Sequence, residues 1–425
     1  MTTLDELNEG FVASAAEDAG GPRWQRDRRL EANKRFVDQD WPDSREDEYW
    51  RSTPFAKRFD TTLPIVDTTV SIEAPDGVVV AHLRDAATDH EELVREHLGS
   101  LTTTNPDGTG ADEDRTITAS DVAWRGGAFV HVPNDVEVDE PIVVTFDVDE
   151  PGTHLPRVLV VLGRFAKATV VIEHESDIDD RALVNEVVEV VVGDGANLDL
   201  VSLQEWDGPV DHLSLQKAAL HRDATYRHLA VNIGGATVRL RPEVDLVGPG
   251  ASCFPLGVYF ADDGQWFDMQ PYIRHIAPHA TSDVLYKGAL QGGSRTVFRG
   301  NVFVGKDAVG TVTDENNRSL ILTDGARADA TPFLEIECAE IQAGHGSATG
   351  QLDANQLFYL ESRGLTREQA VRQIVFGFFR EVLERFELPE VQERAMAHIE
   401  HEIELTDFDS LGVSDTALPT EARDH

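Results

Sequence analysis

Hydrophobic and polar positions fall into three regimes along the chain. Up to about residue 60 the pattern is polar, Trp-bearing and helix-prone. Leu4 to Ala16 has helical content and is broken by Gly20-Gly21-Pro22. Trp24 to Val37 carries an apolar side at Trp24 and Phe36 and is stopped by Trp41-Pro42, and Asp43 to Arg51 reads as a further short helix. From about Leu63 short strands set in, such as Val78–Val80 and Ile142–Phe146. A helix over Asp85–Leu98, ended by Gly99, and a turn-rich loop over Thr102–Arg115 lie between them. After Gln351 helical spacing returns at Ile374, Val375, Phe378, Phe379, Val382, Leu383 and Phe386. Pro389 marks a break, an amphipathic helix covers Val391–Leu405, and an acidic tail follows.

The middle third is periodic. A turn followed by Ala and a β-prone run recurs at Ala168, Ala196, Ala224, Ala251, Ala280 and Ala308, in steps of 28, 28, 27, 29 and 28 residues. A second turn class alternates with it at Gly208, Gly235, Gly264 and Gly293, in steps of 27, 29 and 29. Two turns per coil of about 28 residues leave two β-prone segments, the requirement of a flattened parallel β-helix whose coils bury their apolar faces by stacking. An antiparallel sandwich with similarly spaced turns is the competing architecture, and the regular alternation of turn classes favours the solenoid. The expected fold is therefore mainly β: a two-sheet β-helix flanked by N- and C-terminal helical regions that would also cover its open edges. The expected divisions are 1–62 (helical), 63–155 (mixed), 156–352 (solenoid), 353–408 (helical) and 409–425 (acidic tail).

Charge changes the list of partners. Thirty-seven basic residues, 31 of them Arg, stand against 77 acidic ones, a net charge of −40. Such a field repels nucleic acid and anionic lipid, so neither is expected as a partner. The acid is spread along the whole chain, which suits a salt-rich cytoplasm better than one acidic docking patch. No run reaches the roughly 18 consecutive apolar residues of a membrane span. The start, Met1-Thr-Thr-Leu-Asp-Glu-Leu, lacks a leader pattern, so a cytoplasmic protein is expected.

Candidate chemistry is sparse. The P-loop, GxGxxG, GxSxG and HExxH patterns are missing, so any ATP used is expected to bind another subunit. Cys253 and Cys338 stand 85 positions apart, and two cysteines cannot hold a four-Cys cluster. His345, flanked by Gly344 and Gly346, is an accessible candidate iron ligand. His275 with His279, His398 with His401, and Asp262, Asp263 and Asp268 are further groupings, each read as structural or solvated rather than ligating.

The chain then resembles a known family. His275-x-x-Pro278-x-x-x-Ser282-x-x-x-Tyr286-Lys287-Gly288, Phe298-x-Gly300, Asn316-Asn317-Arg318-Ser319-Leu320-Ile321-Leu322 and Pro332-x-Leu334-Glu335-Ile336 are similar to the core of the SufB/SufD family. His345-Gly346-Ser347-Ala348-Thr349-Gly350-Gln351-Leu352-Asp353, Leu357-Phe358-Tyr359-Leu360-x-Ser362-Arg363-Gly364, and the N-terminal Trp24, Arg29, Ala32, Phe36 and Glu48-x-Trp50-Arg51-x-Thr53 resemble its SufD branch. The resemblance implies a right-handed β-helix in a non-catalytic scaffold for iron–sulfur cluster assembly. It implies pairing with a SufB-like paralogue across the solenoid edges and docking of an ABC-type ATPase, SufC, on the C-terminal helices. A homodimer is the alternative where SufB is absent. By the same resemblance His345 lies at the SufB junction as a cluster or iron ligand, and Phe358, Tyr359, Arg363 and Gly364 lie in the ATPase-docking region. No stably bound cofactor is implied, only a transient cluster shared with SufB; flavin is associated with the family, but no flavin fingerprint occurs here. The family often has Cys two positions before this histidine. Here Ala343 occupies that place, so sulfur ligands would come from the partner. Two other classes remain open: a SufB-like paralogue that itself holds the cluster, and a β-helix enzyme acting on polysaccharide, which would need paired carboxylates in an open groove.

Overall fold

In the computed structural model, residues 2–8, 10, 21–103, 114–408 and 410–414 are described. The repeat becomes a parallel β-solenoid of about eight turns and about 29 residues per coil. One ten-stranded sheet runs through Lys167–Ser176, Asn197–Trp206, Thr225–Gly234, Ser252–Ala261, Thr281–Leu290, Val312–Ile321 and Gln342–Asp353, all parallel. The opposing thirteen-stranded sheet carries Arg157–Leu162, Ala182–Val192, Val210–Leu220 and Thr237–Leu246. In later coils its strand splits in two, as at Trp266–Met269 and Tyr272–His275.

The coil corners explain the alanine periodicity. Asn197, Thr225, Ser252 and Thr281 each donate their backbone N–H to the carbonyl of Ala166, Ala196, Ala224 and Ala251, one coil back. These alanines are fully buried, where any larger side chain would collide with the stacked corner. The first member of the column is Ala166 rather than Ala168, so the first step is 30 residues. The residue before each alanine is left-handed: Phe165, Gly195, Asp223, Gly250 and His279 have φ of 57°, 66°, 54°, 76° and 59°. Glycine tolerates that conformation freely, and the three non-glycine corners are held by a backbone bond to the next coil. His279 is thus an exposed corner residue, while His275 is buried inside the coil.

Alternation within each strand sends Val188, Val190, Val192, Ala218, Leu220, Val238 and Leu240 into the inner core. The outward residues are covered by helices. Arg367–Leu383 and Pro389–Glu404 lie on the ten-stranded sheet, their Val371, Val375, Phe379, Ile399 and Ile403 packing on Val201, Val231, Val258, Phe260 and Leu285. Each such buried side chain stabilises by roughly 1.5–3 kcal/mol. On the other sheet, Phe36 of the helix Arg23–Asp38, with Trp50, Phe55 and Phe59, packs over Leu155, Leu183 and Leu213.

This placement corrects the expectation that helices cover the solenoid's ends, because both helical regions lie on its faces. The N-terminal end is closed by strands: Thr69–Glu73 and Val79–His82 pair antiparallel with Ile142–Val148 and Gly127–Val132. Antiparallel closure ends the parallel ladder there. Several local readings also shift. The expected helix over Asp85–Leu98 is two, Leu83–Asp89 and Glu91–His97. Of the first expected helix, Leu4–Glu6 is a helical turn and Gly10 is helical, while residues 9 and 11–16 lie outside the described ones. Asp43–Arg51 contributes only the short turn Glu48–Trp50. Pro389 opens the last helix instead of lying ahead of it, because its missing N–H costs nothing at a helix start.

Candidate functional site

Among the described residues the C-terminal end of the solenoid is left open. Of the last long strand, Gln342–Asp353, only Leu352 and Asp353 find a further strand neighbour, Val413–Ser414, among the described residues. Its other edge pairs in register with Val312–Ile321: Thr313 with Ala343, Glu315 with His345, Asn317 with Ser347, and Ser319 with Thr349. Ladder neighbours in a parallel sheet project to the same face. Thr313, Glu315, Asn317 and Ser319 are buried on the inner face of their coil. Ala343, His345, Ser347 and Thr349 continue those columns, yet they are exposed. His345 therefore stands in the mouth of the solenoid, as an exposed imidazole in a line of otherwise interior positions.

Directly behind it is an unusual carboxyl. Both oxygens of Glu315 are buried with no hydrogen bond among the described residues. Burial, reinforced by the neighbouring Asp314 charge, pushes its pKa up to about 8. Room for it comes from Gly300, where any Cβ would overlap the Glu315 carboxylate. A second polar track leads to Ala343. His275 Nε2 lies 2.8 Å from Ser282 Oγ, which lies 2.6 Å from Thr313 Oγ1, the residue behind Ala343. Burial lowers the His275 pKa to about 4, so its imidazole is neutral. The mouth thus offers a neutral imidazole network, a protonatable carboxyl and one exposed histidine, with no thiol. Cys253 is fully buried, with its thiol pushed up by burial, and Cys338 is buried in the inner core.

The second set of candidates lies together on the helix Ala354–Ser362 and its C-terminus. Phe358 and Tyr359 are 72% and 55% exposed. Arg363 lies over the Tyr359 ring, its Nη2 donating to the hydroxyl at 3.1 Å, and Gly364 takes φ of 94° to end the helix. Tyr359 also borders a cleft of about 740 Å³ between this helix and Arg367–Leu383, with Lys287, Arg318 and Glu381 at its charged side. Lys287 Nζ donates to the Phe378 carbonyl at 2.9 Å and pairs with Glu381.

The remaining groupings do not converge. His398 bonds Glu205 at 2.8 Å, fixing the last helix to the sheet, while His401 is exposed. Asp268 is buried against Arg239 and Thr53, away from the exposed turn of Asp263. Glu315 was missed in the sequence because no motif marks it. The coil period leads close to it, since it lies one coil before His345.

Comparison with known proteins agrees with this architecture. The family described as "SUF system FeS cluster assembly, SufBD core domain" matches residues 145–378, and "SufBD protein N-terminal region" matches residues 60–144. A Mycobacterium bovis iron–sulfur cluster assembly SufBD family protein is 42% identical over 312 residues, covering 70% of this chain and 76% of the relative. Its Mycobacterium leprae counterpart is 40% identical over 307 residues, covering 70% and 77%. The Bacillus subtilis iron–sulfur cluster assembly protein SufB is 25% identical over 313 residues, covering 71% and 64%. The chain belongs to the SufBD family of iron–sulfur cluster assembly proteins.

Proposed function

We propose that this chain is the SufD-type subunit of a SUF complex: a non-catalytic scaffold that pairs with a SufB-like paralogue and is driven by a separate SufC-like ATPase. The observation that carries the reading is the open mouth, where His345 stands without a thiol at position 343. A subunit that held a cluster alone would need thiolate ligands there. The strand Phe333–Ile336, with exposed Phe333 and Ile336, has one edge unpaired among the described residues, which suits addition of a partner's coil. In such a junction His345 contributes one ligand to iron or to the nascent cluster, and the partner contributes sulfur. The exposed Phe358 and Tyr359, with Arg363 and Gly364, serve as the docking surface for the ATPase.

The test is co-expression with a SufB-like chain and the ATPase, followed by anaerobic purification. Wild type is expected to co-purify with both, and His345→Ala to keep the complex while cluster yield falls several-fold. Unchanged yield removes His345 from the reading. A stable cluster on the isolated chain, near one per monomer, replaces the SufD reading with a SufB-like one.

A further inference from the structure

The solenoid interior holds a second group of ligand-type side chains, far along the coils from the mouth. His174 projects inward from Lys167–Ser176, Glu186 from Ala182–Val192 across the core, and His212 from Val210–Leu220 one coil on. One ligand atom from each lies within 4.8 Å of the others. His174 and Glu186 are fully buried, and His212 is 2% exposed.

The proton arrangement is what singles the group out. His174 Nδ1 faces the Leu203 carbonyl at 3.3 Å, and its Nε2 faces Glu186 Oε1 at 2.8 Å. Both neighbours are acceptors, so the single proton of a neutral ring meets only one of them; a cation at Nε2 would satisfy the carboxylate and leave Nδ1–H to donate to Leu203. Among the described residues His212 has no hydrogen bond at either ring nitrogen, and its Nε2 is 3.7 Å from Glu186 Oε2. An imidazole left unbonded in a dry core is costly, and this one is aimed at the same carboxylate. Ser214 Oγ donates to Glu186 Oε2 at 2.6 Å and is itself held by Gln216, which fixes the carboxylate's orientation. Trp206 closes the group, its ring centroid 5.4 Å from each imidazole.

We propose that His174, Glu186 and His212 bind a first-row divalent metal ion inside the solenoid, at a site separate from the His345 mouth. Two imidazoles and one carboxylate form the donor set of zinc and non-haem ferrous centres. The backbone carbonyl of Leu203 and the Ser214 hydroxyl supply the outer hydrogen bonds that orient such ligands. Enclosure on all sides means that the ion enters as the coils close and exchanges slowly afterwards.

The test uses the full chain expressed in medium in which cobalt(II) is the supplied divalent metal, with the purified protein analysed for metal and by cobalt-edge X-ray absorption. The expected result is one cobalt per chain with imidazole scattering in its shell. Glu186→Gln and His212→Ala are expected to lose at least nine-tenths of the metal, with far-ultraviolet circular dichroism unchanged, whereas His345→Ala keeps it. Retention by His345→Ala separates this site from the proposed mouth ligand. Wild type with under a tenth of an equivalent of metal overturns the proposal whether or not the variants fold. So does retention by His212→Ala, and so does a shell without imidazole.

Discussion

Glu315 and His345 are ladder neighbours on the last two coils, and they face the same way. One carboxyl is sealed behind the final coil and the imidazole ahead of it is open to solvent. A charge arriving at His345 would therefore meet a protonatable group held in low dielectric, not a solvated carboxylate. Gly300 makes this arrangement geometrically allowed. Gly300→Ala is expected to displace the Glu315 side chain and to lower thermal stability by about 1–3 kcal/mol. The double variant Gly300→Ala/Glu315→Ala should recover part of that loss, as read in a thermal double-mutant cycle; strictly additive effects would show that the two do not meet.

Position 343 is open where the two native thiols are closed. Ala343→Cys should add one thiol that reacts with an aromatic disulfide reagent in the folded protein at near-model rates. Cys253 and Cys338 should react only on unfolding, because both are buried. Counting fast and slow thiols by absorbance checks this, and a slow new thiol would mean that the last coil is closed.

His275 gives a pH dependence of known sign. Its pKa is about 4 in the folded chain against an ordinary 6.5, because burial disfavours the imidazolium. Between those values the unfolded chain binds more protons than the folded one. Stability contributed by the neutral ring is therefore present above pH 6.5 and lost as pH falls toward 4, by on the order of 3 kcal/mol at most. The difference in melting temperature between wild type and His275→Gln is expected to be largest near neutral pH and to narrow on acidification. A difference that stays constant from pH 7 to pH 4 would rule out this titration.

Stacked coils alternate large and small residues with complementary register. Gly257 lies beside Tyr286, and Tyr259 beside Gly288. A Cβ on Gly288 would overlap the Tyr259 ring, which is fully buried and bonded to Asn317 Nδ2 at 3.1 Å. Gly288→Ala should cost about 1–3 kcal/mol by overpacking, measured by urea unfolding.

The last helix is fixed to the early coils by Arg394, which reaches Glu173 at 2.6 Å and Glu175 at 2.7 Å and also pairs with Glu205. Arg394→Ala leaves the nearly buried Glu205 carboxylate with His398 alone. Because Arg394 is about a third exposed, solvent and salt discount the loss to about 1–2 kcal/mol. The deficit should shrink between low and molar salt. A salt-independent deficit would assign it to packing.

The architecture was legible because its signal is local: a left-handed turn residue followed by Ala marks the corners from Phe165-Ala166 to His279-Ala280, whereas the last corner is Gly310-Thr311 and not the expected Asp307-Ala308. The first corner was misplaced by two residues because Lys167-Ala168 also reads as a turn followed by Ala, and only the backbone bond to Ala166 decides between them. Pairings across coils were not legible, since they depend on exact register. The actual steps from Asn197 through Gln342 are 28, 27, 29, 31 and 30 residues. A uniform 28-residue step back from His345 lands on Asn317 and misses Glu315. The helix Arg115–Ala123 was missed although Asp114 caps it through Thr116 and Ile117 N–H, because its first turn adjoins a loop rich in turn residues. His174, Glu186 and His212 escaped because their spacing matches no motif; they meet only once two sheets are folded face to face.

The helices on the ten-stranded sheet change how the solenoid holds together. In a bare stack each coil touches only its neighbours, so the free end can peel away one layer at a time. Here a single apolar strip, from Val171 through Leu203, Leu229, Val258, Leu285 and Leu320 to Leu352, is gripped by one helical pair. Fraying at the mouth must lift helices that are also anchored many coils away. The strip acts as a splint, and a pull on those helices is felt by seven layers together.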